Sequence, residues 1–351
     1  MEHANGTSLL VMLPALNEAA SLAAVIRRIP RQVPGLSRVE VLVVDDGSTD
    51  DTVAIAKAEG ASVISHRKNR GVGAAFQTGV EEAIRRGSDI LVNIDADGQF
   101  SPEDIPALVA PIVAGRADFV TASRFKEPAL TPQMPWAKRF GNWGMAWIIS
   151  SLCGERFYDA SCGFRAYSRH VVLRLVLLGQ FTYTQETLLS MSQQGMRIEE
   201  LPLKIRGERE HGTSRVARSL FRYAWRTLGI IFGFIRDYSP GVLFTNATIL
   251  FSLVSVGVGG FFLWHRLVSG QFSPHIWAGF TAAFFFGLAC VSFLMGQVAT
   301  MVARLRSVQE RELLLVRTHL PLLRASGDVP VGEGRPAPEG VAPQGVGERT
   351  P

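Results

Sequence analysis

The sequence predicts an α/β domain of catalytic size, followed by an amphipathic interface helix and a two-helix transmembrane hairpin. Three observations carry that prediction. Short β-rich runs alternate with helical patterns over the first hundred residues, acidic residues gather where those runs end, and the last third holds two long stretches without a charge.

The run SLLVML (8–13) is followed by a helix from about Glu18, VEVLVVD (39–45) by a helix from about Asp50, and ASVIS (61–65) by a helix near Val72, with DILVNID (89–95) next. This is the rhythm of βαβ units. Strands covered on both faces read as nearly continuous hydrophobic runs, as Val39 to Val44 and Ile90 to Ile94 do. In such a sheet ligands sit beyond the carboxyl ends of the strands.

Polar residues stand at three of those ends, in PALNE, DDGSTD and DADGQ. Single residues there have structural explanations: Asn17 or Asp50 as a cap, Gly47 as a turn, Ser101 with Pro102 as a helix start. A cap needs one acceptor. Asp45 beside Asp46, and Asp95 one residue from Asp97, exceed that need, so a site assembled from three loops is expected. A hard divalent cation, Mg²⁺ or Mn²⁺, suits such carboxylates because it completes its shell with water and substrate phosphates. Asp95 and Asp97 are the expected ligands, with Gln99 supporting the same shell, and a nucleotide diphosphate would supply the remaining oxygens.

The charge-free stretches run from 242 to 264 and from 276 to 302. As a helix the shorter would extend about 34 Å, enough to cross roughly 30 Å of hydrocarbon. Arg218, Arg222, Arg226 and Arg236 precede the pair and Arg304, Arg306 and Arg311 follow it, whereas the connector carries only Arg266. The positive-inside rule then places the head and both termini in the cytoplasm, and MEHANGTS at the start lacks the pattern of a signal peptide. Between head and spans, arginines at 215, 218, 222 and 226 recur at helical spacing while Phe221, Trp225, Leu228 and Phe232 form an apolar stripe, a helix suited to the interface plane. The expected organisation is a head over 1–213, this helix over 214–238, the hairpin over 239–303, a surface helix over 304–324 and a disordered tail over 325–351 rich in Gly, Pro and Glu. The pI of about 9.4 reflects basic residues beside the spans, which points to anionic lipid rather than nucleic acid. Cys153, Cys162 and Cys290 lack the spacing of a zinc site or a disulfide framework.

The ordered series PALNE, VVDDGSTD, NRGVGAAFQTG, DADGQ, SRF, RFGNW, DASCGFRAYSR, FTYTQE, RIEELPLKIRGEREHGTSR and FIRDYSP resembles the family-two glycosyltransferases of GT-A fold. Within them it is most similar to the polyprenyl-phosphate hexosyltransferases typified by dolichol-phosphate mannose synthase. The resemblance runs from Leu13 to about Pro240. It implies a Rossmann-like, mostly parallel sheet and inverting transfer. It further implies that Pro14, Asn17, Glu18 and Asp46 contact a sugar nucleotide, a GDP- or UDP-hexose, that Asp45 serves its base or ribose, and that Asp95 and Asp97 hold the metal beside Gln99. Arg124, Arg139, Arg209 and Ser214 would gather the phosphates, some of the arginines receiving the lipid phosphate of the acceptor. NRGVGAAFQTG receives no chemistry, since its glycines suffice for close packing, and DASCGFRAYSR reads as a scaffold loop capped by Asp159.

A lipid phosphate has a second pKa of about 6 and reaches the site mostly ionised, so a general base is dispensable. Glu186 of FTYTQE stands where relatives with hydroxyl acceptors place a base, and it reads equally well as a helix-start carboxylate. Two other functions stay open: a membrane glycosyltransferase acting on a hydroxyl acceptor, for which Glu186 is essential, and a non-catalytic scaffold that binds a sugar nucleotide. The intact Asp95 and Asp97 speak against the second. A processive synthase is disfavoured by the missing Gln-x-x-Arg-Trp signature and by a conduit of only two spans.

Overall fold

The computed structural model describes residues 6–132, 134, 136–175, 183–206, 240–271 and 273–325. The head is one mixed seven-stranded sheet with helices packed on it. Its strands are β1 (Ser8–Ala15), β2 (Arg38–Asp45), β3 (Ser62–Ser65), β4 (Ile90–Asn93), β5 (Phe119–Ser123), β6 (Arg165–Ser168) and β7 (Ile198–Pro202), in the order β3-β2-β1-β4-β6-β5-β7. Pairings among β1, β2, β3 and β4 and between β5 and β7 are parallel, and β6 alone runs against its neighbours.

The helices of the head are α1 (Leu22–Arg28), α2 (Thr52–Ala58), α3 (Val72–Arg86), α4 (Ile105–Val113), α5 (Trp136–Cys153), α6 (Arg169–Arg174) and α7 (Tyr183–Gln193). Successive strand side chains point to opposite faces, and both faces of the central strands are covered. Leu9, Val11, Leu13, Val41, Val43 and Val92 enter one buried cluster, while Leu10, Met12, Leu42, Val44 and Leu91 enter the other. That double burial is the reason these runs lack alternation.

The helix expected from about Glu18 begins later, at Leu22. Asn17 adopts φ 55°, a left-handed conformation that asparagine tolerates. The amides of residues 17 to 19 donate to Ser48, Thr52 and Asp50, which tethers this segment to the next loop ahead of the helix. At the far edge, Asp118 pins the start of β5 to β7: its carboxylate accepts from the Arg197 amide at 3.0 Å and from the guanidinium at 2.8 and 2.9 Å.

Two more helices, α8 (Pro240–Ser269) and α9 (Ile276–Ala325), lie antiparallel. Their packing uses small residues: Gly241 faces Thr300, Gly296 faces Phe244, and Gly279 lies against the Phe262 ring. Stretches Leu243–Ser269 and Ile276–Ala303 are long and apolar enough to cross a bilayer, with 0% and 11% of their apolar windows buried. A soluble core helix would be covered. The surface helix expected over 304–324 is not a separate element. It continues α9 as one helix to Ala325, since ARLRSVQERELLLVRTHL contains no glycine or proline and consists mostly of good helix formers, and Pro321 falls only near its end. This long helix also packs against α6. The amphipathic segment 214–238 and the tail from 326 lie outside the described residues.

The Arg197 hydrogen bonds hold the Asp118 carboxyl down at about 2. A carboxyl whose folded pKa lies below its unfolded value of about 4 contributes stability above that value and loses it as pH falls through the folded pKa. Asp118→Asn should therefore lower the thermal midpoint in detergent at neutral pH. The difference from wild type should shrink between about pH 4 and pH 2; a constant difference across that window would show that the ion pair is not its source.

Candidate active site

The carboxyl ends of β1, β2 and β4 open on one edge, and the loops there are stitched to one another before any ligand is considered. Asn17 Oδ1 accepts from the Thr49 amide at 2.8 Å and the Glu18 amide donates to Thr52 Oγ1 at 2.9 Å. Asp50 accepts from the amides of Ala19 and Thr52, so it serves both loops. Pro14 lies in register with Val44 at the end of β1. Asp45 is buried, and its Oδ1 accepts from the Ser48 amide at 2.9 Å.

Asp46 turns inward. It is 4% exposed and accepts from the Arg70 and Gly71 amides at 2.9 and 2.7 Å and from His66 Nδ1 at 2.8 Å. A carboxylate only accepts, so Nδ1 carries the imidazole proton, and in the neutral ring Nε2 accepts from the Thr78 hydroxyl at 2.9 Å. Asp46 thus fixes the turn into α3 at this edge. Gly47 completes this corner at φ 83°, where a Cβ would meet the backbone of Lys68 and Asn69 at 2.9 Å.

Asp95, Gln99 and buried Asp97 follow β4 in a turn that Gly98 makes at φ 76°. The Gln99 amide donates to Asp97 Oδ1 at 3.1 Å, and the Gln99 carbonyl accepts from the Arg206 amide. Behind the turn, Ser21 Oγ donates to the Ala96 carbonyl at 2.7 Å, tying α1 to it. Opposite Asp95 stands Gly163, where an added Cβ would lie 3.2 Å from both carboxylate oxygens and 3.1 Å from the Tyr183 hydroxyl. Asn93 Nδ2 donates to the Gly163 carbonyl at 2.7 Å and reaches Tyr183 Oη at 3.3 Å, closing the cradle from below. Burial, with the Asp95 charge as a second contribution, pushes the Tyr183 phenol well above its ordinary value and keeps it neutral.

This donor set fits Mg²⁺ or Mn²⁺: it is all oxygen, and among the described residues no group of three His, Cys, Asp or Glu could hold a metal unaided. A cation at Asp95 and Asp97 would need further oxygens from a bound diphosphate.

Arg124, just past β5, grips Asp159 through Nε at 2.6 Å and Nη2 at 2.8 Å, and the same Nη2 donates to Ser161 at 2.6 Å. Burial opposes its charge, but the Asp159 bonds outweigh that and raise its pKa, with Asp95 adding a smaller favourable field. Asp159 is therefore more than the loop cap expected from sequence, although it also accepts from the Ser161 amide at 3.1 Å. The loop is fixed in turn by Glu200 of β7, which accepts from the amides of Tyr158 and Asp159 at 2.9 Å. Asn142 of α5 donates to the Tyr158 carbonyl and accepts from Ser161 Oγ. Arg139 lies one turn earlier, exposed, on the wall of a groove of about 680 Å³ that also includes Phe125, Arg156 and Tyr158.

The structure thus brings Asp95 and Arg124 to the 158–163 loop, with Asp97 and Gln99 in the same turn as Asp95 and with Asn17, Glu18, Asp45 and Asp46 on the adjoining edge. Arg139 belongs to the groove beside them. Glu186 is buried in the first turn of α7, three residues after Tyr183 and hence on the same helix face. Arg209 and Ser214 lie outside the described residues. Sequence reasoning passed over Asn93, Gly163, Tyr183, His66 and Glu200. Only Asn93 carried a signal, as an amide within an otherwise apolar strand.

A Rossmann-like half sheet joined through one reversed strand, with an Asp-x-Asp turn at its carboxyl edge, defines the GT-A class of nucleotide-sugar enzyme. Residues 10–175 match the family model described as Glycosyl transferase family 2. The chain is 30% identical over 214 residues to UDP-N-acetylglucosamine--dolichyl-phosphate N-acetylglucosaminyltransferase of Methanococcus voltae, covering 55% of this chain and 84% of that protein. It is 30% identical over 225 residues to polyprenol monophosphomannose synthase of Mycolicibacterium smegmatis, covering 61% and 83%. Among solved structures, glucosyl-3-phosphoglycerate synthase from Mycobacterium tuberculosis, in complex with Mn²⁺, UDP and phosphoglyceric acid, superposes with TM-score 0.50 at 26% identity, covering 64% of this chain and 78% of that one. The chain belongs to glycosyl transferase family 2.

Gly163→Ala tests the cradle. Its Cβ would displace the Asp95 carboxylate by a few tenths of an ångström, and a shift of that size should lower sugar transfer about tenfold while the far-ultraviolet circular dichroism stays unchanged. Wild-type turnover in the variant would show that Asp95 has slack.

Proposed function

We propose that the protein transfers a hexose, with inversion, from a nucleotide diphosphate sugar to a polyprenyl phosphate at the cytoplasmic membrane face. The observation that carries this reading is the Asp95–Asp97 turn set against the loop whose Asp159 holds Arg124, in a chain with two helices of membrane-spanning length. Relatives that act on dolichyl phosphate or make a polyprenol phosphomannose support the acceptor class. The two name different sugars, N-acetylglucosamine and mannose, and the charged motifs do not select the sugar, so mannose and glucose stand equally for this chain.

On this reading the β1 and β2 edge, with Pro14, Asn17, Glu18 and Asp45, receives the nucleoside, and Asp46 holds that edge in shape through His66 and the Arg70–Gly71 turn. Asp95 and Asp97, with Gln99 alongside, would hold the divalent cation, which supplies charge neutralisation for the departing diphosphate. Arg124 is held beside Asp95 by Asp159, so its charge is placed before substrate arrives and needs no reorganisation during reaction. Arg139 on the groove wall, with Arg209 and Ser214, is assigned to the acceptor phosphate. That phosphate is mostly ionised at neutral pH, so its oxygen attacks the anomeric carbon without a proton acceptor. Glu186, buried beneath the site on the Tyr183 face of α7, then serves a supporting role. The segment 214–238 would join the head to the α8–α9 hairpin.

The test uses the full chain in lipid nanodiscs with polyprenyl phosphate, a panel of UDP- and GDP-sugars, and mass spectrometry of the lipid product. One lipid-linked hexose should dominate, chelation should abolish it, and Asp95→Ala or Asp97→Ala should each reduce it by about a hundredfold or more. No product with any donor would defeat the enzyme reading. Glu186→Gln should retain substantial turnover; complete loss would favour a hydroxyl acceptor instead.

A further inference from the structure

One guanidinium is buried in this head without a carboxylate to balance it among the described residues. Arg165 of β6 is 0% exposed, and its partners are neutral. Nη1 donates to the Thr184 carbonyl at 2.6 Å, Nη2 reaches the Ala160 carbonyl only at 3.5 Å, and the guanidinium carbon lies 5.5 Å from the centre of the Phe119 ring. Nε is buried with no hydrogen-bond partner among the described residues. A side chain kept as a brace would place its planar fork on acceptors. Here the fork is poorly used, whereas the charge, the costly part to bury, is retained.

Arg165 stands directly opposite Asn93 in the antiparallel β4–β6 pairing, and both side chains lie on the face that carries Leu91 and Tyr167. Asn93 in turn holds Gly163 and Tyr183 through its Nδ2, and Asp95 follows it by two residues. Burial does most to raise the Tyr183 phenol; beyond that, Asp95 raises it and Arg165 lowers it, so the two charges meet at one hydroxyl. Phe119 stacks on Tyr167 at 4.9 Å and Phe76 on Tyr183 at 4.6 Å, which packs this region with rings. In such surroundings a charge is weakly screened and its field reaches farther than in water. Arg124 differs, because Asp159 holds it at 2.6 and 2.8 Å and offsets its charge at longer range.

We infer that Arg165 is the fixed counter-charge of the site, a positive charge beneath the Asp95 turn whose field stabilises the departing nucleoside diphosphate without touching it. The inference rests on the sugar transfer proposed above. In that step the acceptor oxygen bonds to the anomeric carbon, the bond from that carbon to the diphosphate oxygen breaks, and its electron pair leaves with the diphosphate. Negative charge therefore grows on the diphosphate as the bond lengthens. A charge set in the sheet beforehand favours that growth and needs no reorganisation.

Two substitutions separate charge from bracing. Arg165→Met keeps a long apolar stem and removes the charge; Arg165→Lys keeps a charge and loses the fork. With the full chain in nanodiscs, Arg165→Met should lower kcat/KM for the sugar nucleotide about tenfold. Its thermal midpoint should equal or exceed that of wild type, because an unbalanced buried charge is gone. Arg165→Lys should restore most of the activity, more fully at about pH 6 than at about pH 9, since a buried ammonium gives up its proton readily. A thermal midpoint that falls in step with activity, or an equal loss in both variants across that pH range, would overturn the inference and leave Arg165 a brace. Calorimetry gives a readout independent of turnover. With Mn²⁺ present, Arg165→Met should weaken binding of UDP or GDP about tenfold and leave uridine or guanosine unchanged. Equal diphosphate affinity in wild type and Arg165→Met would also overturn it. Selective loss of diphosphate affinity in a protein that makes no product from any donor would uphold the counter-charge and defeat only the enzymatic reading.

Discussion

Buried negative charge governs this head. Asp45, Asp46, Asp97 and Asp159 all lie at the carboxyl edge of the sheet with little or no exposure. A carboxylate removed from water needs hydrogen-bond donors or a counter-charge in return. Here the neighbouring loops supply them: the Ser48 amide to Asp45, the Arg70 and Gly71 amides with His66 to Asp46, the Gln99 amide to Asp97, and Arg124 to Asp159. Satisfying each acid fixes the course of the loop that satisfies it.

Most of these acids are thus occupied in building the edge on which the proposed chemistry takes place. Asp46 shows the division of labour. Its adjacency to Asp45 suggests a pair acting on one ligand, and its hydrogen-bond partners belong to the β3–α3 turn, which it holds in place. Asp95 is the contrasting case: it is partly exposed, faced by a glycine that leaves room for its carboxylate, and backed by a neutral phenol. The partly exposed acid is the better placed of the two for the cation and diphosphate of the proposed reaction.

The same bonds connect the site to the outside of the molecule. Glu200 in β7 holds the 158–159 backbone, Asp159 holds Arg124, and Asn142 joins that loop to α5. An edge strand, the charge beside Asp95 and α5 form one hydrogen-bonded unit.

Local pattern by itself determined the α/β alternation, the two long apolar helices and the places where acids gather, because burial on both faces of a strand and the length of a charge-free stretch are recorded in consecutive residues. The Asp-x-Asp turn was legible for the same reason. Only the tertiary structure decided that Asp46 faces His66, that Arg124 is held by Asp159, that Gly163 makes room for Asp95 and that α9 runs unbroken to Ala325. The first three join residues 20, 35 and 68 positions apart, across loops whose meeting depends on strand order, and no periodicity within a segment encodes which loop ends become neighbours.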